Sequence, residues 1–470
     1  MRRAVALLLV CVGARAAAGE LHFGGYLNTA LQLGLFDCGG DANACRFLDF
    51  KNTNVFGLTL EARPSSTVEI AADVAVRNLN FATVHTLDDT GDSAKVQPVS
   101  LRLKEAKVEL RDLFGLRGLD LSIGALRFAW GTADGINPLD RVNPFDLEDG
   151  AGFDKRLASP ALQLAYTIGP VRIEVVALPL FTPAVLPIAA IDLTGLGNPG
   201  QVFTLNALAT GTPPEVRKIE TPTTTPAAAL ENVGVAARVV WNSPVGAFAA
   251  SFFRGHDSLP QASGDARLSG YQTQNRVDLG VPLLYPRLMF AGVDWRGPLW
   301  RQLSGWVELA VLFPERHALS ISEAQLRQLQ KLGQIKEVPS PLPTQGTQGD
   351  DVMVHAVTGL EYLFDDIVYL NVQYARGLPI ERQASDVHNY VLALVRVMLL
   401  EGRLELEARG AIEVSDTRTL GYQAGGSVSW LHGDVAKLSL GCTFLGGQDG
   451  ATFARLGPLS HLRIALESKF

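Results

Sequence analysis

The chain ends on an alternating stretch, SHLRIALESKF (residues 460–470), which carries its clearest structural signal. The apolar positions are spaced two or four residues apart: Leu462, Ile464, Leu466 and the terminal Phe470. Charged or titratable side chains lie between them: His461, Arg463, Glu467 and Lys469. Because successive side chains of a β-strand point to opposite faces of the sheet, the stretch predicts a strand with one apolar and one polar face. Strands of a membrane barrel have this pattern, with apolar side chains toward lipid and polar ones toward the lumen.

The same alternation recurs along the whole chain, and eighteen segments fit it. They begin near Leu21, Asn52, Thr67, Val99, Gly118, Ala158, Val171, Asn232, Val245, Leu283, Trp300, Val352, Ile367, Asn389, Gly402, Thr419, Asp434 and Leu459. An even number is what bacterial membrane barrels require. We therefore expect an all-β fold, a transmembrane antiparallel up-and-down β-barrel of about 18 strands, with residues 19–470 as one barrel domain.

The connections between these segments alternate in length. Those after even-numbered strands are short turns, such as Gly169-Pro170, Arg296-Gly297-Pro298 and Asp365-Asp366. Most of those after odd-numbered strands are long: 36–50, 80–98, 130–157, 181–231, 256–282 and 314–350. Outer-membrane barrels have short periplasmic turns and long outer loops, so both termini are expected on the periplasmic side. Four tryptophans lie beside the short turns, where an interfacial aromatic girdle is expected: Trp241, Trp295, Trp300 and Trp430.

Composition excludes several other classes of protein. Hydrophobic residues make up 47% of the 470 residues, too many for a disordered chain. The mean hydropathy of +0.15 is too low for a bundle of membrane helices. The most apolar stretch, residues 175–191, contains three prolines that a helix would not tolerate. A net charge of −7 argues against nucleic acid as a partner.

Residues 1–18 predict a secretory signal peptide. Met1-Arg2-Arg3 is a basic start, residues 4–13 are apolar, and Ala16-Ala17-Ala18 is a small-residue cleavage signature. A membrane-spanning helix would need about 20 apolar residues. The segment therefore predicts export, and with the barrel pattern it predicts the outer membrane of a Gram-negative bacterium.

Two cysteines lie close together after the first strand. In an exported chain, Cys38 and Cys45 predict a local disulfide, with a C-x6-C metal site as the alternative. Cys442 lies within a strand pattern and is expected to be a small apolar side chain.

The loop after the fifth strand contains two near copies of one motif, Ile136–Asp140 and Val142–Asp146. Each has an Asn-Pro step followed two residues later by Asp, a pattern that also suits two capped turns. Such a loop can fold inward and narrow a pore, and charged side chains line many pore constrictions. We expect five residues at this constriction: Arg127, Asp134, Asp140, Arg141 and Asp146. The same acidic side chains suit a calcium ion less well, because no D-x-D-x-D-G loop is present.

This stretch resembles a family of bacterial outer-membrane barrels of the porin-like and alginate-export-like kind. Their strand reads roughly G-R-Q-x-x-x-W-G and is followed by a loop D-x-x-N-P-x-D. The matching residues are Gly124, Trp130, Gly131, Asp134, Asn137, Pro138, Asp140, Asn143, Pro144 and Asp146. The chain departs from the pattern at Ala125 and Leu126, where the family often has Arg-Gln. The resemblance implies passage of small solutes.

The terminal Phe470 resembles the C-terminal assembly signal of such barrels. That resemblance implies the barrel assembly machinery and outer-membrane lipid as partners. A homo-oligomer is a further expectation for a chain of this kind.

Other activities have weaker support in the sequence. His256-Asp257-Ser258 contains the residue types of a hydrolase triad, but adjacent residues of an extended chain cannot converge on one point. We expect no enzyme activity, no cofactor and no metal. An outer-membrane channel for small solutes is the leading interpretation, and a barrel scaffold, an adhesive or sheath protein, or a barrel-embedded hydrolase are the alternatives. Residues 319–338 predict the one clear helix, which could be a rim element or a plug, with Ser322 as its cap.

Overall fold

In the computed structural model, the described residues are 20–35, 50–79, 98–147, 153–186, 215–269, 276–331, 336–342, 344–414, 420–448 and 450–470. Eighteen strands form one sheet: β1 (Glu20–Gly34), β2 (Phe50–Ser65), β3 (Val68–Leu79), β4 (Val99–Leu110), β5 (Leu119–Leu126), β6 (Ser159–Ile168), β7 (Val171–Leu178), β8 (Gly234–Ser243), β9 (Gly246–His256), β10 (Arg287–Trp300), β11 (Leu303–Pro314), β12 (Met353–Phe364), β13 (Val368–Arg376), β14 (Asn389–Leu399), β15 (Leu404–Val414), β16 (Leu420–His432), β17 (Ala436–Gly447) and β18 (His461–Lys469). Each strand starts within four residues of the predicted position.

The sheet closes on itself, since β18 pairs antiparallel with β1 from Tyr26–Lys469 to Gly34–His461. Beyond this ladder, Gly25 and Phe470 exchange two backbone hydrogen bonds of 2.8 and 3.0 Å. The ring of Phe470 also stacks on Phe56, with centroids 6.1 Å apart. Closure removes the free edges that a sheet would otherwise expose. The prediction of an 18-stranded antiparallel barrel is confirmed.

One short turn lies elsewhere than predicted. The sequence placed it at Arg296-Gly297-Pro298, but β10 continues to Trp300 and the turn is at residues 301–302. Pro298 pairs with Ser304 beside a register shift in the β10–β11 ladder. A proline at a bulge can remain in a strand, because the irregular pairing does not need its missing N–H.

The two faces of the barrel differ in chemistry. The outer face is apolar, with exposed residues such as Leu101 and Leu440. Polar and charged side chains point inward, and several are buried there: Arg238, Asp294, Glu308 and Glu407. Near the short turns, Trp241, Trp300 and Trp430 are exposed on the outer face. Trp295 belongs to the same group of rings, because Phe248 packs against both it and Trp241.

The long loops form a second sheet above one end of the barrel. Its five strands lie in the order Thr344–Gln348, His317–Ile321, Gly264–Ser269, Arg276–Gly280 and Glu215–Glu220. A smaller three-stranded sheet contains Gln261–Ala262, Leu283–Leu284 and Thr223–Thr224.

The predicted helix is shorter than expected: α1 spans Glu323–Lys331. Leu319 and Ile321, placed by the sequence in the helix, lie in a strand instead. Both pack with Leu326 and Leu329 of α1 in one apolar core. The helix therefore lies on the outer sheet, in agreement with the rim alternative.

The remaining short elements of the described segments are α2 (Thr452–Arg455) and four 3-10 helices, at Leu113–Gly115, Leu230–Asn232, Ala384–Asp386 and Gly457–Leu459. None of the helices formed by the described residues is long and apolar enough to cross a membrane. The predicted signal peptide and the Cys38–Cys45 pair lie outside the described residues.

Candidate functional site: the inner loop and the barrel interior

The described parts of the connection between β5 and β6, residues 127–147 and 153–158, lie inside the barrel and are called the inner loop here. Its large apolar side chains are buried: Phe128, Trp130, Ile136, Leu139, Val142, Phe145, Leu147 and Phe153. Part of this set packs against inward-facing residues of β9–β11, among them Phe253, Phe290 and Leu312. The apolar inner face of that wall would otherwise meet water, so burial of both surfaces draws the loop inward.

The asparagines of the two Asn-Pro steps fix the path of the inner loop. Asn137 Oδ1 accepts the backbone N–H groups of Leu139 and Asp140 at 3.1 and 3.0 Å, which caps a tight turn. Its Nδ2 donates to the carbonyl of Trp130 at 2.9 Å. Asn143 acts over a longer distance in sequence, since it accepts from Phe128 N at 2.5 Å and donates to the carbonyl of Leu126 at 2.9 Å. The capped-turn interpretation thus describes the first copy, whereas the second ties the loop back to its own start.

A glycine is required where the inner loop approaches the far wall. Gly131 has φ +90°, which L side chains rarely adopt. A Cβ there would meet Asn137 Oδ1 at 2.3 Å and Glu308 Oε1 at 2.6 Å. Any other residue would push the loop away from the wall.

Hydrogen bonds hold the tip of the inner loop against β10–β13, across the interior from β5. Glu308 of β11 accepts the backbone N–H groups of Thr132 and Ala133 through its Oε1. Arg296 donates to the carbonyl of Thr132 at 3.2 Å. Asn371 of β13 donates to Asp134 Oδ2 at 2.9 Å. The inner loop is therefore tied to β5 through Asn143 and to the opposite wall through its tip.

The five residues expected at the constriction have different surroundings. Asp134 is exposed beside β13, and Arg127 is exposed near Lys104 of β4. Asp146 forms an ion pair of 3.2 Å with Arg102 of β4. These three residues contact or approach the barrel wall, so the structure brings them to the interior.

Asp140 and Arg141 are instead buried within the loop. Asp140 Oδ2 lies 3.2 Å from Arg156 Nε, and burial raises the pKa of Asp140 to about 6. Arg141 Nη2 lies 3.1 Å from His355 Nδ1 of β12, and burial lowers the pKa of Arg141 to about 10. Sequence reasoning did not identify Arg156, which also donates to three loop carbonyls, those of Asp140, Phe153 and Lys155. No spacing rule links Arg156 to Asp140, so their pairing was visible only in the fold.

Other important residues lie on the strands. Glu308 is a single acid in an otherwise apolar strand, GWVELAVLF, and it lies at an inward position of the alternation. A single acid at an inward position of an apolar strand is a sequence signal for such a contact. Arg396 of β14 and Arg409 of β15 also face the interior, and both donate to Glu407.

A buried polar network joins the outer loops above the inner loop. Glu381 accepts Leu378 N at 2.8 Å and the Tyr390 hydroxyl at 2.5 Å, and burial raises its pKa to about 7. His388 lies 2.9 Å from Glu413, whose carboxylate raises the pKa of His388. Glu413 also accepts the N–H groups of Thr452 and Phe453, at 2.8 and 2.9 Å, at the start of α2.

A second contact joins the β13–β14 loop to the loop after β9, since Arg382 forms a buried ion pair with Asp257. Asp257 therefore pairs with Arg382, whereas the His256 ring bonds to the Tyr285 carbonyl and Asn232. Within the described part of the chain, no three His, Cys, Asp or Glu residues converge in a way that could hold a metal ion.

Between the inner loop and β13–β16 a cavity of about 420 Å³ remains. The loop side is formed by Asp134, Phe153 and Asp154, and the wall side by Tyr369, Arg396 and Arg409. The loop therefore fills one part of the interior and leaves a charged space in another.

Comparison with known proteins identifies the fold. No family model matches this sequence, and no curated protein matches it. OccK1 (OpdK) of Pseudomonas aeruginosa aligns over 96% of this chain and 98% of its own, at 7% identity and a TM-score of 0.50. OccAB3 of Acinetobacter baumannii aligns over 96% and 99%, at 8% identity and a TM-score of 0.49. OmpT, an outer membrane protein of Vibrio cholerae, aligns over 97% and 99%, at 8% identity and a TM-score of 0.41.

At these identities the likeness concerns the fold alone, which in this chain is a closed barrel of 18 strands. The more specific resemblance to alginate-export-like barrels, and the loop motif that carried it, stay predictions.

Proposed function

We propose that this protein is a channel of the Gram-negative outer membrane that passes small solutes by selective diffusion. The observation that carries the proposal is the inner loop, held across the interior of a closed barrel by Glu308 and Asn371. A protein that served only as an anchor would not need a fixed loop inside its barrel. A channel does, because such a loop sets both the width and the charge of the passage.

The apolar outer face supports the location. Exposed apolar residues on the barrel strands, such as Leu101 and Leu440, would meet water in a soluble protein, but in a membrane they face lipid. Export by residues 1–18, insertion by the barrel assembly machinery through Phe470, and association into a homo-oligomer belong to the same proposal.

The charges of the inner loop favour a mild cation preference. Asp140 is compensated by Arg156, and Asp146 by Arg102. Asp134 has a neutral partner, Asn371, and is exposed. Its carboxylate is therefore the one of the three that acts most directly on a passing ion. A nearby basic group, Lys104, is approached by Arg102, Arg127 and Lys155, so cations and anions meet different parts of the interior.

The five-stranded outer sheet favours the scaffold alternative, because it adds a folded surface that a simple channel does not require. The hydrolase alternative has no such support. His256 bonds to the Tyr285 carbonyl at 2.9 Å and lies 3.2 Å from Asn232 Oδ1, and Asp257 is paired with Arg382.

Purified protein in a planar bilayer separates these functions. A channel gives stepwise ion conductance in KCl, and proteoliposomes containing it swell in sugars, amino acids or organic acids below a size limit. A scaffold or an enzyme gives neither result. Copurifying partner proteins without conductance would favour the scaffold, and lipase or protease activity would favour the enzyme.

A further inference from the structure

The cavity beside the inner loop, called the charged chamber here, is lined by acidic, basic and apolar side chains. It lies between loop residues 134–136 and 153–154 and the inward-facing residues of β13–β16. Its volume of about 420 Å³ is within the range of small-molecule sites, roughly 300–1,000 Å³. The space is large enough for a compact organic solute rather than for ions alone.

The loop side of the chamber is acidic. Asp134 and Asp154 both line it and both are exposed. Among the ion pairs formed by described residues, none within 4.0 Å includes either carboxylate. Their charge is therefore available to a solute in the chamber.

The wall side is basic. Arg396 and Arg409 come from adjacent strands and both donate to Glu407, with Arg396 Nη2 2.8 Å from Glu407 Oε2. Glu407 is itself buried, whereas the side chains of Arg396 and Arg409 are 40% and 54% exposed. Glu407 thus orients both guanidinium groups. Glu405 lies 3.9 Å from Arg396 and 2.8 Å from Lys437, so two carboxylates face three basic groups and one positive charge is not compensated.

Apolar side chains also line the charged chamber. Ile136 and Phe153 of the loop and Phe453 of α2 are buried side chains that also line the chamber. Acidic, apolar and basic groups therefore surround one space.

We propose that the charged chamber binds small zwitterions, solutes that carry a cationic and an anionic group on a compact apolar skeleton. The inference rests on the proposed channel function and names the class of solute. A cation alone is attracted by Asp134 and Asp154 but repelled by the two arginines. An anion alone is attracted by the arginines but repelled by the two aspartates. A zwitterion satisfies both sides at once, and such interactions are stronger in a confined, partly dehydrated passage than in bulk water.

Four compounds with one side chain and different charges test this inference. Leucine is a zwitterion, N-acetylleucine an anion, leucinamide a cation and N-acetylleucinamide neutral. Their binding to detergent-purified protein is measured by saturation-transfer NMR, which detects weak binding and does not need transport. Leucine is expected to bind about tenfold more tightly than each of the others. Equal binding of N-acetylleucinamide and leucine would overturn the proposal.

Two substitutions assign the two sides. Asp154→Asn should abolish the preference for leucine over N-acetylleucine, which lacks the cationic group. Arg409→Gln should abolish the preference for leucine over leucinamide, which lacks the anionic group. Asp265→Asn and Arg327→Gln, on the outer sheet and α1, are the matched controls and should leave the order unchanged. Weakening of all four compounds alike by Asp154→Asn or Arg409→Gln would contradict the assignment.

The same protein samples are recorded in KCl in a planar bilayer. Conductance without a preference for leucine would support the channel function and contradict zwitterion binding in the charged chamber. Preference for leucine without conductance would support the chamber as a binding site and overturn the channel.

Discussion

The carboxylate of Glu308 on β11 accepts the backbone N–H of Thr132 at the tip of the inner loop. The two residues are 176 positions apart in the chain, and the same oxygen also accepts the N–H of Ala133. A buried side chain thus satisfies two loop donors that no strand partner could reach, and this contact determines where the loop crosses the barrel.

Glu308→Ala should release the tip of the inner loop. Each backbone N–H left buried without an acceptor costs about 1–3 kcal/mol, so the loop is expected to leave the wall part of the time. Single-channel recordings should then show larger and noisier conductance than the wild type. Glu308→Gln retains an acceptor oxygen and should remain close to the wild type. Wild-type currents from Glu308→Ala would show that the contact does not hold the loop.

Asp134→Asn should lower cation preference more than Asp146→Asn does, because Arg102 already compensates Asp146. The triple replacement of Asp134, Asp140 and Asp146 by asparagine should lower it further, with little change in conductance. Reversal potentials across a KCl gradient at low salt, where screening is weakest, measure the effect. An unchanged reversal potential in the triple variant would remove these carboxylates from the passage.

Arg156→Ala should destabilise the inner loop itself. The guanidinium pairs with Asp140, donates to loop carbonyls and lies 4.0 Å from the centre of the Phe145 ring. Its loss leaves Asp140 buried without a partner, which for buried ion pairs costs about 3–5 kcal/mol. Protease digestion of folded protein should cut the loop faster in Arg156→Ala than in Arg172→Ala, a control on the exposed end of β7. Equal digestion rates would mean that the loop does not depend on this pair.

The outer-loop network around Glu381 and His388 should weaken as pH rises. Burial raises the pKa of Glu381 to about 7, so its contribution is largest below the ordinary carboxyl pKa and is lost as pH approaches 7. The pKa of His388 is also raised, so its contribution is present below its ordinary pKa and is lost as pH rises through the folded value. Current fluctuations are therefore expected to be more frequent at pH 8 than at pH 5. Glu381→Gln mimics the neutral acid and should reduce the pH dependence of the current fluctuations. A variant as pH-sensitive as the wild type would show that Glu381 does not cause this dependence.

Deletion of Phe470 should impair assembly, because it removes the backbone bonds to Gly25 and the stacking on Phe56. Less protein should reach the outer membrane, and less of it should migrate faster on unheated than on boiled gels. Phe470→Tyr keeps the ring and the backbone and should assemble normally. Unchanged membrane levels without Phe470 would contradict its role. The Cys38–Cys45 disulfide also stays a prediction, and mass mapping that finds two free thiols would end it.

The strands could be predicted from the sequence because apolar and polar side chains alternate along each one. That alternation depends only on whether a side chain faces lipid or the barrel interior. The start of β4 at Val99 and of β14 at Asn389 coincided with the predicted positions. The turn after β10 was missed since Pro298 is accommodated at a bulge, which depends on the neighbouring strand.

The inner loop was predictable as a feature but not in its contacts. Its Asn-Pro steps mark sharp bends, yet nothing local pairs Arg141 with His355, 214 residues away. The chamber could not be predicted from the sequence either, since Asp154 and Arg409 line one cavity only in the closed barrel.

The single-channel conductance of a variant lacking residues 131–150 tests the central claim most directly, with gel mobility before and after heating as the check that the barrel has folded. The deletion removes the part of the inner loop bound by Glu308 and Asn371, and the interior beside β10–β13 should open. We predict stepwise conductance in the wild type and a clearly larger step in the folded deletion variant. Equal steps in both proteins, or no conductance in either, would show that the inner loop does not set the width of a channel.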